Sequence, residues 1–229
     1  MLIDEARKQG RTALDEASGK ALLAQHGIAV PRTVVVKGPG EVEGALKDLT
    51  LPVVVKVVSP EILHKSDAGG VRVNLQSAAE VREAISAMSV LPKIAAARLE
   101  GWLIEEMAPK GQELVVGGLH DPDFGPLVML GLGGIFVEVL GDVSFRICPI
   151  TRIDAEEMIE DLKGAAILDG ARGRKPASRE AIVDVLLRMG GEDGLLMRHG
   201  GEISEADINP LIVSESGAVA VDARFILTP

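Results

Sequence analysis

The chain has 229 residues, of which 47% are hydrophobic and only 2% aromatic, and its formal net charge is -10. That length is enough for one large domain or two small ones, each with a core built mainly from aliphatic side chains. The acidic balance excludes a protein that binds nucleic acid through a broad basic face, since such binding needs many Lys and Arg contacts. A single nucleotide remains compatible, because a few local cations, backbone N–H groups and a metal can hold a polyphosphate.

The cysteine content and the apolar stretches indicate the cellular compartment of the protein. The single cysteine, Cys148, excludes an intrachain disulfide and a cysteine-based metal cluster. The N-terminal residues have mixed charge and lack the apolar centre of a secretory signal. No stretch reaches the roughly 18 apolar residues of a spanning helix. These features predict a cytoplasmic protein without membrane contact.

Helical and extended patterns follow one another in the first half of the chain. Alanine spacing predicts the first helix, and Gly27 is a suitable residue to end it. The predicted elements are helices over 12–25, 40–49 and from Ser77 to about Val90, with strands over 33–36, 52–58 and 71–75.

The second half is richer in strands. The predicted elements are strands over 102–107, 113–119, 127–130, 203–208, 211–213 and 218–221, with helices over 151–163 and 178–189. Pro210 is predicted to end the strand before it in a turn. Because helices and strands are mixed without strict alternation, the predicted fold class is α+β, with two lobes and a ligand cleft between them.

The segment 52–73, PVVVKVVSPEILHKSDAGGVRV, combines a strand with a loop suited to phosphate. Lys56 interrupts a valine-rich strand, where an unpaired charge would be costly, and an anionic ligand is its simplest partner. Gly69 and Gly70 would let anionic oxygens approach the backbone, and the imidazole of His64 is able to accept a phosphoryl group. The alternative is an ordinary strand lysine followed by a glycine hairpin and a solvated histidine.

A second group of residues follows the strand predicted over 102–107. The backbone of Glu105, Glu106 and Met107 is suited to offer one carbonyl and one N–H group to an adenine edge. The carboxylate of Glu113 is suited to accept bonds from ribose hydroxyls. The alternative is a solvated, acidic strand end.

A third group lies near the C-terminus. Asp207 and Asn209 are two residues apart, so on one strand both side chains point to the same face, and Asp222 is able to join them from a neighbouring strand. Two carboxylates and an amide supply the oxygen ligands that Mg²⁺ prefers. The alternative is an Asn-Pro turn with two unrelated acids.

The region between these groups contains a glycine-rich run and one notable arginine. The run LGLGG over 130–134 predicts a backbone turn that lines the cleft, since it does not match the dinucleotide fingerprint. Arg146 is either a clamp for phosphate or carboxylate, or half of an ordinary surface ion pair.

Together these segments resemble the ATP-grasp subunit of the ADP-forming (nucleoside diphosphate-forming) acyl-CoA synthetases, relatives of succinyl-CoA synthetase. The resemblance is carried by ALDEASGKALLAQHGIAVPRT, the segment 52–73, HDPDFGPLVMLGLGGIFVEVLGDVSFR, DINPLIV and VDAR. It implies the ATP-grasp fold, with two α/β lobes around a nucleotide cleft. The implied N-terminal lobe is 1–107, with the phosphate loop and adenine hinge, and the implied C-terminal lobe is 108–229, with the ribose and Mg²⁺ sites.

The resemblance also assigns roles to individual residues. Lys56 and His64 would be catalytic, with Lys56 on the ATP phosphates and the loop from His64 to Gly70 folded over them. The residues implied to bind nucleotide are Lys56, Leu63, His64, Lys65, Gly69, Gly70, Glu105, Glu106, Met107 and Glu113, and those implied to bind Mg²⁺ are Asp207, Asn209 and Asp222. Succinyl-CoA synthetases commonly carry Glu in place of Asp207, and the shorter Asp is expected to reach the metal only through water.

The implied reaction joins a carboxylate to coenzyme A with ATP, through a phosphohistidine. The CoA-binding domains and the main phosphohistidine belong to an α-type partner subunit or a fused region, and His64 would relay the phosphoryl group between partner and nucleotide. Two alternatives stay open: a self-contained ATP-grasp carboxylate ligase, and a nucleotide-sensing module that regulates an associated acyltransferase.

Overall fold

A computed structural model of the chain describes residues 2–62, 65–134, 140–170 and 175–228. The helices in this part are α1 Leu2–Lys8, α2 Glu16–Gln25, α3 Val42–Ala45, α4 Ala78–Ser89, α5 Pro92–Ala95, α6 Arg152–Glu160, α7 Arg179–Gly190 and α8 Leu195–Arg198. The strands are β1 Thr33–Val36, β2 Val53–Val58, β3 Val71–Leu75, β4 Gly101–Glu106, β5 Gln112–Asp121, β6 Gly125–Leu132, β7 Val143–Ile147, β8 Ile203–Ser214, β9 Gly217–Ala220 and β10 Ala223–Leu227. No helix among the described residues has the length and apolar character needed to cross a membrane.

The chain forms two compact units. The small unit is Pro31–Met107, and the large unit combines Met1–Val30 with Ala108–Pro229. The predicted division placed all of 1–107 in one lobe, and this is wrong for the first thirty residues.

The N-terminal segment belongs to the large unit because it is bonded to that unit's last strand and buried in its core. The N–H of Leu14 donates to the carbonyl of Phe225 at 3.0 Å, and the N–H of Leu227 donates to the carbonyl of Thr12 at 2.8 Å. Leu23 is fully buried in the large unit's hydrophobic core. The helix spacing of this segment predicted an element but carried no information on which sheet it covers.

The small unit contains a four-stranded antiparallel sheet in the order β1-β4-β2-β3. Val53, Val55 and Val57 point to the face that packs with α4, whose Val81 is fully buried. The hydroxyl of Ser77 accepts from the N–H of Glu80 and begins α4 as predicted.

The large unit contains an antiparallel sheet in the order β10-β8-β5-β6-β7, with β9 paired to β8. One face carries Leu114, Val116 and Leu130, all fully buried in a core shared with Met158 of α6 and Leu186 of α7. Residues between these positions point to the opposite side of the sheet, called here the outer face.

Several predicted elements differ from those in the structure. Helix α2 begins only at Glu16, because the Asp15 side chain accepts from the N–H of Ser18 at 2.8 Å and Ala13 bridges to Ile226. The strands predicted over 203–208 and 211–213 are one strand, β8, which runs through Asn209-Pro210 instead of turning there. Two β8 residues face one β5 residue at that point, and such a bulge accommodates proline within a sheet. Strands β7 and β10 were not predicted.

Candidate functional site

Lys56 lies on β2 with its side chain buried against Glu105 of β4. The Lys56 Nζ is 3.1 Å from Glu105 Oε1, and the exposed fractions of the two side chains are 8% and 0%. Glu105 is the diagonal neighbour of Lys56, because Lys56 pairs with Leu103. The structure thus gives Lys56 a carboxylate partner within the chain, which the sequence analysis did not identify, and contact of Lys56 with an anionic ligand stays a prediction. Glu105 directly follows the apolar run over 102–104, but its place diagonal to Lys56 depends on the strand register, which the sequence does not show.

The segment after Glu105 is bonded into the small unit. The Glu106 carboxylate accepts from the Arg32 guanidinium at 2.6 Å and from the N–H of Thr50 at 2.7 Å. These bonds outweigh the effect of burial and lower the pKa of Glu106. The N–H groups of Glu106 and Met107 donate to the carbonyls of Arg32 and Pro52. An adenine edge would therefore have to take its N–H contact from another position.

The loop that follows β2 packs beside Lys56. The N–H of Gly70 donates to the carbonyl of Lys65 at 2.7 Å, and the carbonyl of Gly70 accepts from the N–H of Val57 at 2.8 Å. A Cβ on Gly70 would overlap the Val57 side chain, and Gly69 has a φ of +71°. Both positions therefore need glycine. The predicted residues Leu63 and His64 lie outside the described residues.

Glu113 lies on the outer face of β5 in the large unit, with its side chain exposed. Its carbonyl accepts from the N–H of Gly133 at 2.7 Å. A Cβ on Gly133 would lie 2.7 Å from the Glu113 carbonyl oxygen. The turn predicted over 130–134 is thus limited to Gly133 and Gly134, because Leu130, Gly131 and Leu132 are the last residues of β6 and pair with β5. A larger residue at 133 would displace this turn from the strand that carries Glu113.

The three predicted metal ligands lie on two adjacent strands of the large unit. Asp207 and Asn209 both lie on the outer face of β8, since Ala206 and Ile208 between them are buried in the core. Ala223 of β10 pairs with Ile208. Asp222 therefore comes next to Asn209, one residue before β10 begins.

The charge balance of this group fits a divalent cation. Burial, and then the negative charge of Asp222, raise the pKa of Asp207, while Arg224 acts in the opposite direction. A cation would reduce the repulsion between the two carboxylates, and Asn209 adds a third oxygen donor of the kind that suits Mg²⁺. Among the described residues, no cluster of three or more His, Cys, Asp or Glu side chains offers an alternative metal site.

An open pocket of 480 Å³ lies on the outer face beside Asp207. Two rows of paired residues form its floor. The first row is Phe145, Met129, Gly117, Asp207 and Arg224, and the second is Leu127, Leu119, Glu205 and Ile226. The pocket is apolar apart from a few charged groups at one side. The sequence analysis did not identify it, because its residues come from five strands and meet only through the pairing register.

Arg146 is part of a surface ion pair, which was one of the two predicted alternatives. Its guanidinium lies 2.8 Å from the Asp161 carboxylate and 3.5 Å from that of Glu157. These acids raise the pKa of Arg146. The side chain thus joins β7 to α6 instead of facing the outer pocket.

Comparison with known proteins gives the family. The family model described as an ATP-grasp domain matches residues 5–227. The chain belongs to the ATP-grasp family. This match confirms the predicted resemblance and the α+β fold class.

Relatives of this ATP-grasp chain are subunits or parts of acyl-CoA synthetases. The β subunit of acetate-CoA ligase (ADP-forming) I from Pyrococcus furiosus is 46% identical over 231 residues, which is 99% of this chain and 96% of the relative. Acetate-CoA ligase (ADP-forming) I from Archaeoglobus fulgidus is 43% identical over 212 residues, which is 92% of this chain but only 30% of that protein.

A solved structure is similar over nearly the full length of this ATP-grasp chain. It is acetyl-coenzyme A synthetase 1 of Ca. Korarchaeum cryptofilum with coenzyme A and Mg-AMPPCP, its phosphohistidine segment pointing towards the nucleotide binding site. The TM-score is 0.84 at 41% identity, over 99% of this chain and 98% of the solved chain.

Proposed function

We propose that this chain is the nucleotide-binding subunit of an ADP-forming acyl-CoA synthetase. The overall reaction is ATP + carboxylate + CoA = ADP + phosphate + acyl-CoA, through a phosphohistidine. The observation that carries the proposal is the end-to-end similarity to the β subunit of an ADP-forming acetate-CoA ligase, at 46% identity over 96% of that subunit.

The proposal includes an α-type partner that binds coenzyme A and carries a phosphohistidine. The support for a partner is that this chain matches only 30% of the single-chain Archaeoglobus ligase, so most of that protein has no counterpart in this chain. The complex is expected to be a hetero-oligomer in the cytoplasm. The single, buried Cys148 is compatible with a reducing compartment.

Lys56 is proposed to bind nucleotide phosphates while it remains paired with Glu105. An ammonium group has three donors, so its contact with the Glu105 carboxylate does not prevent contact with a phosphate oxygen. In this proposal Glu105 acts through Lys56 as a positioning residue, because its own side chain is fully buried.

The adenine and ribose contacts are proposed for Glu106, Met107 and Glu113. Because the N–H groups of Glu106 and Met107 are already used, the segment would offer carbonyl oxygens, which have two lone pairs each, and the Met107 side chain. That side chain is 39% exposed. Glu113 would accept bonds from the ribose hydroxyls with its exposed carboxylate.

Asp207, Asn209 and Asp222 are proposed to hold Mg²⁺ with nucleotide phosphates as further ligands. When bound, the ion would neutralise the charge that develops on phosphate oxygens during phosphoryl transfer. Asp222 and Asn209 lie side by side on adjacent strands, and Asp207 lies two residues before Asn209 on the same face of β8. The loop with Leu63, His64, Lys65, Gly69 and Gly70 would enclose the phosphates, with His64 as the relay. The N–H groups of Gly69 and Gly70 already donate within the loop, to the carbonyls of Ser66 and Lys65, so other groups of the loop would make the phosphate contacts.

The test uses the full chain together with the CoA-binding protein encoded by the neighbouring reading frame. With Mg²⁺ and ATP labelled with ³²P at the γ position, we expect label on both chains, and acyl-CoA when acetate and coenzyme A are added. His64→Ala should abolish label on this chain and slow its transfer to the partner. His120→Ala, which changes an exposed histidine on β5, is the matched control.

The outcomes separate the parts of the proposal. Unchanged labelling of the partner by the His64→Ala variant would exclude the relay but leave the synthetase function intact. An absence of both label and acyl-CoA, with acetate and with larger carboxylates, would exclude the synthetase function. Acylphosphate formation by this chain alone would instead identify a self-contained ligase.

A further inference from the structure

Arg224 is an exposed basic residue of the outer face that no step so far uses. It lies on β10 directly opposite Asp207 of β8. It lines the 480 Å³ pocket together with Asp207 and Glu205. Within the described part of the chain, it makes no hydrogen bond and no ion pair of its own.

Other arginines of the large unit behave differently. Three of them are within salt-bridge distance of a carboxylate, at 2.8 Å for Arg146, 2.7 Å for Arg188 and 3.1 Å for Arg198, and Arg7 donates to Thr228 instead. Arg224 has acids nearby as well, yet its guanidinium donates to none of them in the described structure. A guanidinium has five N–H donors, so Arg224 keeps its full capacity to bind an anion.

The charges around Arg224 indicate an anion that also contacts the metal. Arg224 pairs with Asp207 across β10 and β8, so its guanidinium lies on the same face as the proposed metal ligands. The two carboxylates of Asp207 and Asp222 would balance a divalent cation, which leaves the charge of Arg224 to be balanced by an anionic group beside the metal. A phosphoryl group with three oxygens is able to bind a cation and a guanidinium at once.

The order of residues along β5 indicates which phosphoryl group this is. Glu113, the proposed ribose ligand, comes first, and Val115 lies level with the Asn209-Pro210 bulge. Gly117 then pairs with Asp207, whose other neighbour is Arg224. At about 3.4 Å per residue, Gly117 is roughly 13 Å from Glu113. As seen from the ribose end, Arg224 therefore lies level with Asp207 and beyond Asn209 and Asp222.

The pocket extends the outer face further in the same direction. Beyond Gly117 and Asp207 come Leu119, Leu127 and Ile226, in the second row of paired residues. This part of the surface leaves room beside Arg224, on the side away from Glu113, for the group that donates or accepts the phosphoryl group.

We propose that Arg224 binds the terminal phosphoryl group of the Mg-nucleotide and thereby distinguishes a triphosphate from a diphosphate. This inference rests on the proposed function, because it takes Glu113 as the ribose ligand and Asp207, Asn209 and Asp222 as metal ligands. Arg224 is then a binding residue for the group that is transferred.

The test measures binding of ADP and of a non-hydrolysable ATP analogue, β,γ-methylene-ATP, to the full chain by calorimetry with Mg²⁺ present. Arg224→Met should weaken analogue binding by about tenfold or more, as expected for loss of a charge-assisted hydrogen bond, and change ADP binding by less than about twofold. Arg224→Lys should recover part of the loss, because it keeps the charge without the fork. Arg198→Met, which removes an equal charge from a side chain that is 59% exposed, should leave both affinities within about twofold.

Two results would overturn the proposal. Equal weakening of both ligands by Arg224→Met would mean that Arg224 supports the fold or the metal site, and a change in neither would mean that it does not contact the nucleotide. Failure of the unaltered chain to bind either ligand, alone and with its partner, would contradict the proposed function itself. Urea unfolding curves of all variants check that the fold is retained.

Discussion

Each unit sets a basic side chain beside a carboxylate on a neighbouring strand, but the two pairs differ in burial and in bonding. In the small unit, Lys56 and Glu105 are almost fully buried and 3.1 Å apart. In the large unit, Arg224 is exposed and faces Asp207 without a hydrogen bond. The buried pair has its charge balanced before any ligand arrives, whereas the exposed group keeps unmatched donors and acceptors.

The difference indicates two ways of preparing a phosphate site. A buried lysine with a carboxylate partner is held in one position, so it loses little side-chain freedom when a phosphate binds. Arg224, exposed beside the proposed metal ligands, keeps its charge available for an anion such as a nucleotide phosphate that binds together with a metal ion. The buried pair would hold the lysine ammonium in a fixed position for phosphate, and the exposed arginine would supply positive charge to it.

The largest expected effect follows from breaking the buried pair. Glu105→Ala should lower the free energy of unfolding of the small unit by about 3–5 kcal/mol, because it leaves the Lys56 ammonium buried without its partner. Asp207→Asn in the exposed group should change stability by less than about 1 kcal/mol. The measurement is urea unfolding followed by fluorescence of Trp102, the only tryptophan of the chain and a buried residue of β4, with circular dichroism for the whole chain.

A double variant separates the lost pairing from lost packing. Lys56→Met combined with Glu105→Leu removes both charges and should recover most of the stability that Glu105→Ala loses. If the double variant is as unstable as the single one, the ion pair is not what holds this part of β2 and β4 together.

The sequence predicted the regular elements better than the contacts between them. Strands Thr33–Val36 and Val71–Leu75 have the predicted bounds, because short β-branched runs between turn residues are strong local signals. The break predicted at Pro210 was wrong, because a bulge in β8 absorbs a proline that local rules assign to a turn.

The parts of the site that follow from local spacing were predictable, and those that depend on register were not. Asp207 and Asn209 share a face because strand side chains alternate. The placement of Arg224 opposite Asp207, and of Glu105 diagonal to Lys56, depends on which strands pair and with what offset. Neither offset is encoded within one strand, and β10 itself was not predicted.

An intermediate loss of stability is expected when the glycines that pack closely against site residues are replaced. Gly133→Ala should destabilise the large unit by about 1–3 kcal/mol, because the new Cβ would lie 2.7 Å from the Glu113 carbonyl oxygen and the strand has to move. Gly70→Ala in the small unit should have a similar cost, since its Cβ meets the rigid Val57 side chain beside Lys56. Urea unfolding measures both changes.

Gly201→Ala is the matched control for these variants. A Cβ on Gly201 meets nothing within 4 Å, so the change should alter stability by no more than about 0.5 kcal/mol. A Gly133→Ala variant as stable as this control would show that the turn at Gly133 and Gly134 moves freely relative to β5. Glu113 would then not depend on that turn for its position.

The smallest expected effect is a difference between the two units in how their stability depends on pH. In the large unit, burial and then the positive charges of His199 and Arg198 lower the pKa of His26. A lowered folded-state pKa means that the unfolded chain takes up the proton first, so stability is full above the unfolded value near 6.5 and falls as the pH drops through the folded value. Lowering the pH from about 7.5 to about 5.5 should therefore reduce the protection of α2 against amide hydrogen exchange more than that of β1 or β4, after correction for the intrinsic exchange rate. In a His26→Gln variant, the difference in protection between the two units should become smaller. If the difference is unchanged, the pH response belongs to other groups that face His26, among them His199 with its partner Glu202.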